Sequence, residues 1–320
     1  MVDPAGIEPF TGFKDSEIPT ATNFSEGKVR DIFYLPDDEV VLSTSDRISA
    51  FDRILGAVPC KGEILNRLTT YWFGETGDII QNHLIAKLSP RAVVAVACHV
   101  VPIEVVVRGY LCGSAWRDYK AGRAISGIEL PAGMRENQQL ETPLITPSTK
   151  EVDGHDRPCS RAEILSADVV PRSVWEQIEE TALALYARGV ARAREQGLIL
   201  VDTKYEFGLA DDELYLIDEV HTPDSSRYWF AEEYAARFEA GEKQRQLDKE
   251  YLRQWLLGQG FSGDGHPPII PEEVFFEVSR RYQEAFEAIT GQNFRPMGTD
   301  SEAERRKILS FIEERQDEET

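Results

Sequence analysis

Positive charge is what this chain has least of: 35 lysines and arginines stand against 56 aspartates and glutamates, a formal net charge of −21. Nucleic acid and anionic membrane surfaces need a basic face, so both are excluded as partners, and any anionic ligand must be met by a few locally placed cations. Cysteine is scarce as well. Cys60, Cys98, Cys112 and Cys159 lie far apart with no CxxC pair, which argues against a zinc ribbon or a disulfide framework and for reduced thiols. No apolar run reaches the roughly 18 residues of a membrane-spanning helix. The opening "MVDPAGIEPF" has neither the basic nor the apolar region of a secretory signal, so the expected location is the cytoplasm. A Walker GxxxxGK[ST] loop, an HExxH zinc motif and internal repeats are all missing.

What is there suffices for a substantial core. The 320 residues are 42% apolar and 10% aromatic, ordinary values for one large soluble domain or two lobes. The first third carries short strand-like runs, "KVRDIFYL", "EVVLSTS" and "AVVAVACHVVPIEVVVRGY", around one helix, "KGEILNRLTTYWFGE", in which Ile64, Leu65, Leu68 and Trp72 recur at helical spacing. An antiparallel sheet with a helix packed on it is expected. From Lys120 to Arg161 the composition turns to Gly, Pro, Glu, Gln and Thr, which reads as a long functional loop region. Ser173 and Glu176 form a capping-box pattern before a helix whose apolar stripe is Ile178, Ala182, Leu185 and Val190, with Gly197 as its terminator. A β-hairpin from Asp202 to Trp229 follows, and then helices over about Gln244 to Gln259, Pro271 to Thr290 and Ser301 to Glu314.

Four segments carry side chains suited to chemistry, and each also admits a plain structural role. In "SEGKVRDIF", Lys28 and Arg30 enter a strand behind Gly27, where two alternating cations can cover phosphates or simply form a solvated basic strand. "VVVRGYLCGSAWRDY" presents Arg108 and Ser114 beside two glycines, a set suited to a phosphate monoester or an exposed strand end. "TPSTKEVDGHD" supplies hydroxyls, Lys150, His155 and Asp156 from a polar loop. The hairpin is the strongest signal. Glu206, Asp218 and Glu219 can direct hard oxygen ligands into one pocket, where Mg²⁺ shared with nucleotide phosphates is the natural occupant.

In order along the chain, "GKVRDIF", "STSDRISAFD", "RGYLCGSAW", "TPSTKEVDGHD", "DTKYEFG" and "DEVHTPDSSRYW" closely resemble the SAICAR synthetase family of purine biosynthesis, over about Phe24 to Trp229. The chain departs from that pattern at Phe33, where the family often has Tyr, and at an inserted Asp153, which leaves the roles of His155 and Asp156 open. Its length resembles the longer, single-function form, for which a monomer is expected.

The resemblance implies an α+β, two-lobed, kinase-like fold: an N-terminal antiparallel sheet lobe, 1–103, covering ATP phosphates, and a C-terminal α/β lobe, 104–320, with the CAIR, metal and aspartate sites. It implies an ATP-dependent ligase joining CAIR, a phosphoribosyl aminoimidazole carboxylate, to L-aspartate, with Mg²⁺ and release of ADP and phosphate. Lys28, Arg30, Glu206 and Asp218 would bind ATP; Glu206, Asp218 and Glu219 would hold the metal; Arg108, Ser114, Lys150, Asp224 and Arg227 would bind CAIR; Lys204 and Asp202 would be catalytic. "SDRISAFD", Ser45 to Asp52, resembles an active-site loop. Two other classes share these features, a phosphotransferase and a non-catalytic nucleotide binder.

Overall fold

Short β-branched runs broken by turn-formers become strands. In chain order they give β1 (Asn23–Glu26), β2 (Arg30–Tyr34), β3 (Glu39–Thr44), the paired β4 (Arg47–Ala50) and β5 (Arg53–Ala57), helix α1 (Lys61–Thr76), β6 (Leu84–Lys87) and β7 (Ala92–Val96). The computed structural model describes every residue except 20, 21, 52, 151–156, 248, 249, 299 and 318–320. The first sheet is antiparallel and five-stranded, in the order β1-β2-β3-β7-β6. Phe33, Val41 and Val94 point from it into a core shared with Phe10 and Phe13.

The second sheet uses the remaining strands. Here lie β8 (His99–Val100), β9 (Ile103–Leu111), α2 (Gly113–Lys120), β10 (Gln138–Thr149), β11 (Arg157–Pro158), α3 (Arg161–Ser166), α4 (Arg172–Glu195), β12 (Leu198–Ala210), β13 (Glu213–Ile217), β14 (Ser226–Phe230) and α5 (Ala231–Ala240). The strand order is β11-β10-β9-β12-β13, with β8 and β14 also paired to β12. Three helices follow: α6 (Glu250–Gly258), α7 (Glu272–Thr290) and α8 (Ser301–Asp317).

Two compact units result. One comprises Met1–Phe73, His83–Ala97 and Leu247–Thr320, the other Gly74–Asn82 and Cys98–Gln246. The sequence division at 103/104 kept the C-terminal helices with the second lobe; they belong with the first. Ile308 and Ile312 of α8 complete the core around Phe10 and Phe33, and Ser279 of α7 donates to the Pro59 carbonyl at 2.7 Å. Apolar stripes on helices seek a core without regard to their distance along the chain.

Several local expectations change. Within 120–161 runs the 12-residue strand β10, paired antiparallel to β9 with a register break between Gln139 and Leu144; Pro143 and Pro147 disguise it as loop. The capping box sits at Ser160 and Glu163 on α3, whereas α4 starts after Pro171 with no side-chain cap. Along α4, Ile178, Ala182 and Leu185 are buried, but Val190 is 37% exposed, and Gly189 takes the inward place. A side chain there would strike His221, 2.5 Å from the added carbon. The Asp202 to Trp229 hairpin proves to be three strands, with both β13 and β14 paired to β12, and α5 was not foreseen.

Candidate active site

In the first unit, Lys28 and Arg30 ride on a tight turn that other residues hold in place. The Gly27 amide donates to the Arg30 carbonyl at 2.8 Å, Ser45 Oγ donates to the Val29 carbonyl at 2.6 Å, and Arg47 donates to the Gly27 carbonyl at 2.8 Å. Asp31, buried in β2, pairs with Arg47. Burial pushes its carboxyl above the usual range, although the guanidinium pulls the other way. Asp46 accepts from the Phe10 and Gly62 amides at 2.8 and 2.7 Å and pairs with Arg91. The first three residues of "SDRISAFD" therefore brace the turn and the strands around it. Asp52 lies outside the described residues.

In the second unit, strand parity sorts the charges. Ile103, Val105 and Val107 of β9 are buried while Glu104, Val106 and Arg108 face the other way, and on β12 Asp202, Lys204 and Glu206 share one face by the same period of two. A bulge between Leu200 and Asp202 re-phases β12 against β14, so that Asp202 pairs with Arg227 there and with Arg108 on β9. Tyr186 of α4 caps the bulge, donating to the Leu200 carbonyl at 2.8 Å.

Two clusters stand on the charged face. In the first, Arg108 donates to Thr146 Oγ1 at 2.9 Å, to Asp202 Oδ2 at 3.1 Å and to Ser114 Oγ at 3.1 Å. Arg227 lies 3.5 Å from the same Asp202 oxygen and donates to Cys112 Sγ. Burial, more than the Asp202 charge, pushes the Cys112 thiol up to about 12, so it remains neutral. Gly113, at φ +59, admits the Arg227 guanidinium: an added side-chain carbon would sit 2.9 Å from Nη2. Two converging guanidinium groups and a hydroxyl have the chemistry that suits a tetrahedral dianion.

In the second cluster, Lys204 Nζ pairs with Glu206 Oε1, with Glu104 Oε1 at 3.2 Å and with Asp218 Oδ2 at 3.6 Å. Lys150 pairs with the other oxygen of Glu206. Burial works against the Lys204 charge, yet Glu206, Asp218 and Glu104 outweigh it and hold the ammonium pKa well above its ordinary value. Asp218 reaches in from a left-handed turn, φ 62, after β13. Glu219 is buried and accepts from Thr222 Oγ1 at 2.7 Å; the Asp224 amide in turn donates to that hydroxyl at 3.2 Å.

Among the described residues, no group of three or more His, Cys, Asp or Glu side chains is set to hold a metal unaided. Glu206 and Asp218 are two hard-oxygen donors directed at one point, which fits Mg²⁺ completed by phosphate oxygens and water rather than a closed protein cage. Glu151, His155 and Asp156 of the "TPSTKEVDGHD" segment lie outside the described residues.

Residues 23–267 match the family model for SAICAR synthetase. The chain belongs to this family. The phosphoribosylaminoimidazole-succinocarboxamide synthase of Bacteroides thetaiotaomicron is 45% identical over 305 residues, covering 93% of this chain and 97% of that protein. A SAICAR-synthase from Saccharomyces cerevisiae, solved with SAICAR, is 32% identical with a TM-score of 0.77, covering 90% of this chain and 100% of its own. A SAICAR synthetase solved with ADP shares the fold at a TM-score of 0.66 and 23% identity, covering 86% of this chain and 100% of its own. The α+β fold expected from the motifs is thereby borne out, and among the described residues no helix is long and apolar enough to cross a membrane.

Thr146, one of the hydroxyls of the "TPSTKEVDGHD" segment, and Glu104, to which sequence reading gave no role, complete the two clusters. For Glu104 the available signal was its spacing from Arg108, four residues along one strand.

Beneath the charged clusters, His221 is fully buried and shares a 2.5 Å hydrogen bond with the Tyr205 hydroxyl. Burial pushes the imidazole down to about 3 from its ordinary 6.5. Between those two pH values the unfolded chain takes up a proton that the folded protein refuses, so this contribution to stability is complete above pH 6.5 and is lost on acidification toward pH 3. The loss approaches about 1.4 kcal/mol per pH unit. Urea unfolding of wild type and His221→Gln at several pH values from 4 to 7 should show a flatter profile in the variant. Parallel profiles would exclude His221 as the source.

Proposed function

We infer that this SAICAR synthetase joins CAIR to L-aspartate, converting ATP to ADP and phosphate, and that the route runs through an acyl phosphate formed on the CAIR carboxylate. One observation carries the route: the Lys204 ammonium stands among Glu206, Asp218 and Glu104, beside the pair of carboxylates suited to a metal-bound nucleotide. A cation there lets an anionic carboxylate approach an anionic triphosphate.

The roles follow from the clusters. Arg108, Arg227 and Ser114 bind the CAIR phosphate, and Asp202, whose one oxygen serves both guanidinium groups, keeps them converged. Lys150 and Asp224 border the same substrate. Lys28 and Arg30, on their braced turn, are the cations for nucleotide phosphates. Glu206 and Asp218 would hold Mg²⁺, whose charge offsets that of the triphosphate. Glu219, tied to Thr222, supports that turn.

A carboxylate oxygen of CAIR bonds to the γ-phosphorus while the bond to ADP breaks. The aspartate amine then attacks the acyl carbon, loses a proton, and expels phosphate carrying that oxygen. With the CAIR carboxylate labelled with ¹⁸O, mass spectrometry should find label in inorganic phosphate and ADP as the other product. An adenylating enzyme would place the label in AMP and release pyrophosphate. Unlabelled phosphate, or stoichiometric AMP, rejects the acyl phosphate even where SAICAR is made; phosphorylated product accumulating without aspartate would mark a phosphotransferase instead.

A further inference from the structure

Three carboxylates converge on one ammonium. Lys204 Nζ lies 3.2 Å from Glu104 and 3.6 Å from Asp218 and pairs with Glu206. Lys204 pairs with Val106 and Tyr205 with Val105 across β12 and β9, and by the period of two Glu104 on β9 and Glu206 on β12 lie on the face of Lys204, where both reach its ammonium. Like charges brought close on adjacent strands repel unless a cation lies between them. Lys204 is that cation.

The same ammonium has to meet the CAIR carboxylate, and while seated it is a poor partner. Glu104, Glu206 and Asp218 bring three negative charges against the two positive charges of Lys204 and Lys150. An incoming carboxylate therefore meets a net anion at close range.

We propose that Lys204 is the internal counter-ion of the nucleotide-free site, seated on the carboxylates that the divalent cation takes over, and that Glu104 is the positioning residue that keeps it there. This rests on the reading of Glu206 and Asp218 as the metal carboxylates. When Mg²⁺ and nucleotide arrive, Glu206 and Asp218 stay neutralised, and the lysine head, tethered on β12, is released toward the substrate carboxylate. CAIR affinity then depends on metal and not on nucleotide alone, and by linkage CAIR must tighten the binding of Mg²⁺-nucleotide by the same factor.

The test is calorimetric titration of CAIR into the full chain with no addition, with ADP and Mg²⁺, and with ADP and EDTA. Wild type should bind CAIR about tenfold or more tightly with ADP and Mg²⁺, within the usual range of coupling between sites, and show little change with ADP and EDTA. In Glu104→Gln the lysine is held less firmly, so metal-free affinity should rise and the coupling factor fall severalfold. Simple removal of a negative charge would instead strengthen CAIR binding equally in all three conditions. Equal CAIR affinity across the conditions in wild type, or a coupling factor in Glu104→Gln equal to that of wild type, would overturn the proposal; the first outcome needs no variant and so is immune to misfolding. Failure of the underlying reaction looks different: CAIR would bind under none of the conditions, and ATP, CAIR and L-aspartate would give no SAICAR.

Discussion

Lys204→Met should lower kcat by on the order of a thousandfold, the loss typical when one preorganised charge is taken from a developing anion. Methionine retains much of the apolar stem and removes only the ammonium, so the strand and its packing should survive. What is lost is the group between Glu104, Glu206 and Asp218. Those carboxylates then keep Lys150 on Glu206 but lose the counter-ion they share, which makes the site hungrier for a divalent cation. The Mg²⁺ concentration for half-maximal nucleotide binding should therefore fall while turnover collapses. That opposition separates a catalytic loss from general damage, which would weaken both. A variant that retains kcat within about tenfold of wild type would remove Lys204 from the chemistry.

Arg108→Ala and Arg227→Ala should each cut kcat/KM for CAIR by roughly thirtyfold, about 2 kcal/mol for a charge-assisted contact, while leaving KM for ATP unchanged. The two side chains are only 13% and 21% exposed, so solvent screens their contacts little. Each substitution also frees Asp202, 10% exposed, to repel the incoming phosphate, which adds to the loss. Because both guanidinium groups share that one carboxylate and one phosphate, the double variant should lose less than the sum of the single losses. Steady-state kinetics with each substrate varied in turn decides the matter. An equal rise in KM for ATP would move the clamp away from CAIR.

Much of this was legible in the order of residues. Phe33, Val41 and Val94 stand in short strand-like runs that became strands of the first sheet, and the stripe of Ile178, Ala182 and Leu185 became the buried side of α4. The spacing of Asp202, Lys204 and Glu206 put three charges on one face of β12. Such features depend on local periodicity, which a sequence displays openly. Motif order pointed to the family for a related reason: residues that contact one substrate keep their side-chain chemistry wherever the chain carries them.

Other features required partners far away in the chain. β10 hid behind prolines because its strand character comes from pairing with β9 rather than from propensity. "SDRISAFD" read as an active-site loop, yet Asp46 and Arg47 spend their hydrogen bonds on Phe10, Gly62, Asp31 and Gly27. Ser173 and Glu176 have the spacing of a capping box, but α4 had already begun after Pro171.

By itself, then, the sequence determined the charged face of β12 and most of the buried stripe of α4, and that the chain carries the residue set of a SAICAR synthetase. Only the tertiary structure decided that Glu104 joins Glu206 at the Lys204 ammonium, that Thr146 and Cys112 orient the two arginines, and that α7 and α8 belong to the first unit. The reason is register. A one-residue slip between β9 and β12 would turn Glu104 to the opposite face and leave Lys204 with a different set of anions, and the register is set by burial of Val105, Val107 and Tyr205 on the other side of the sheet.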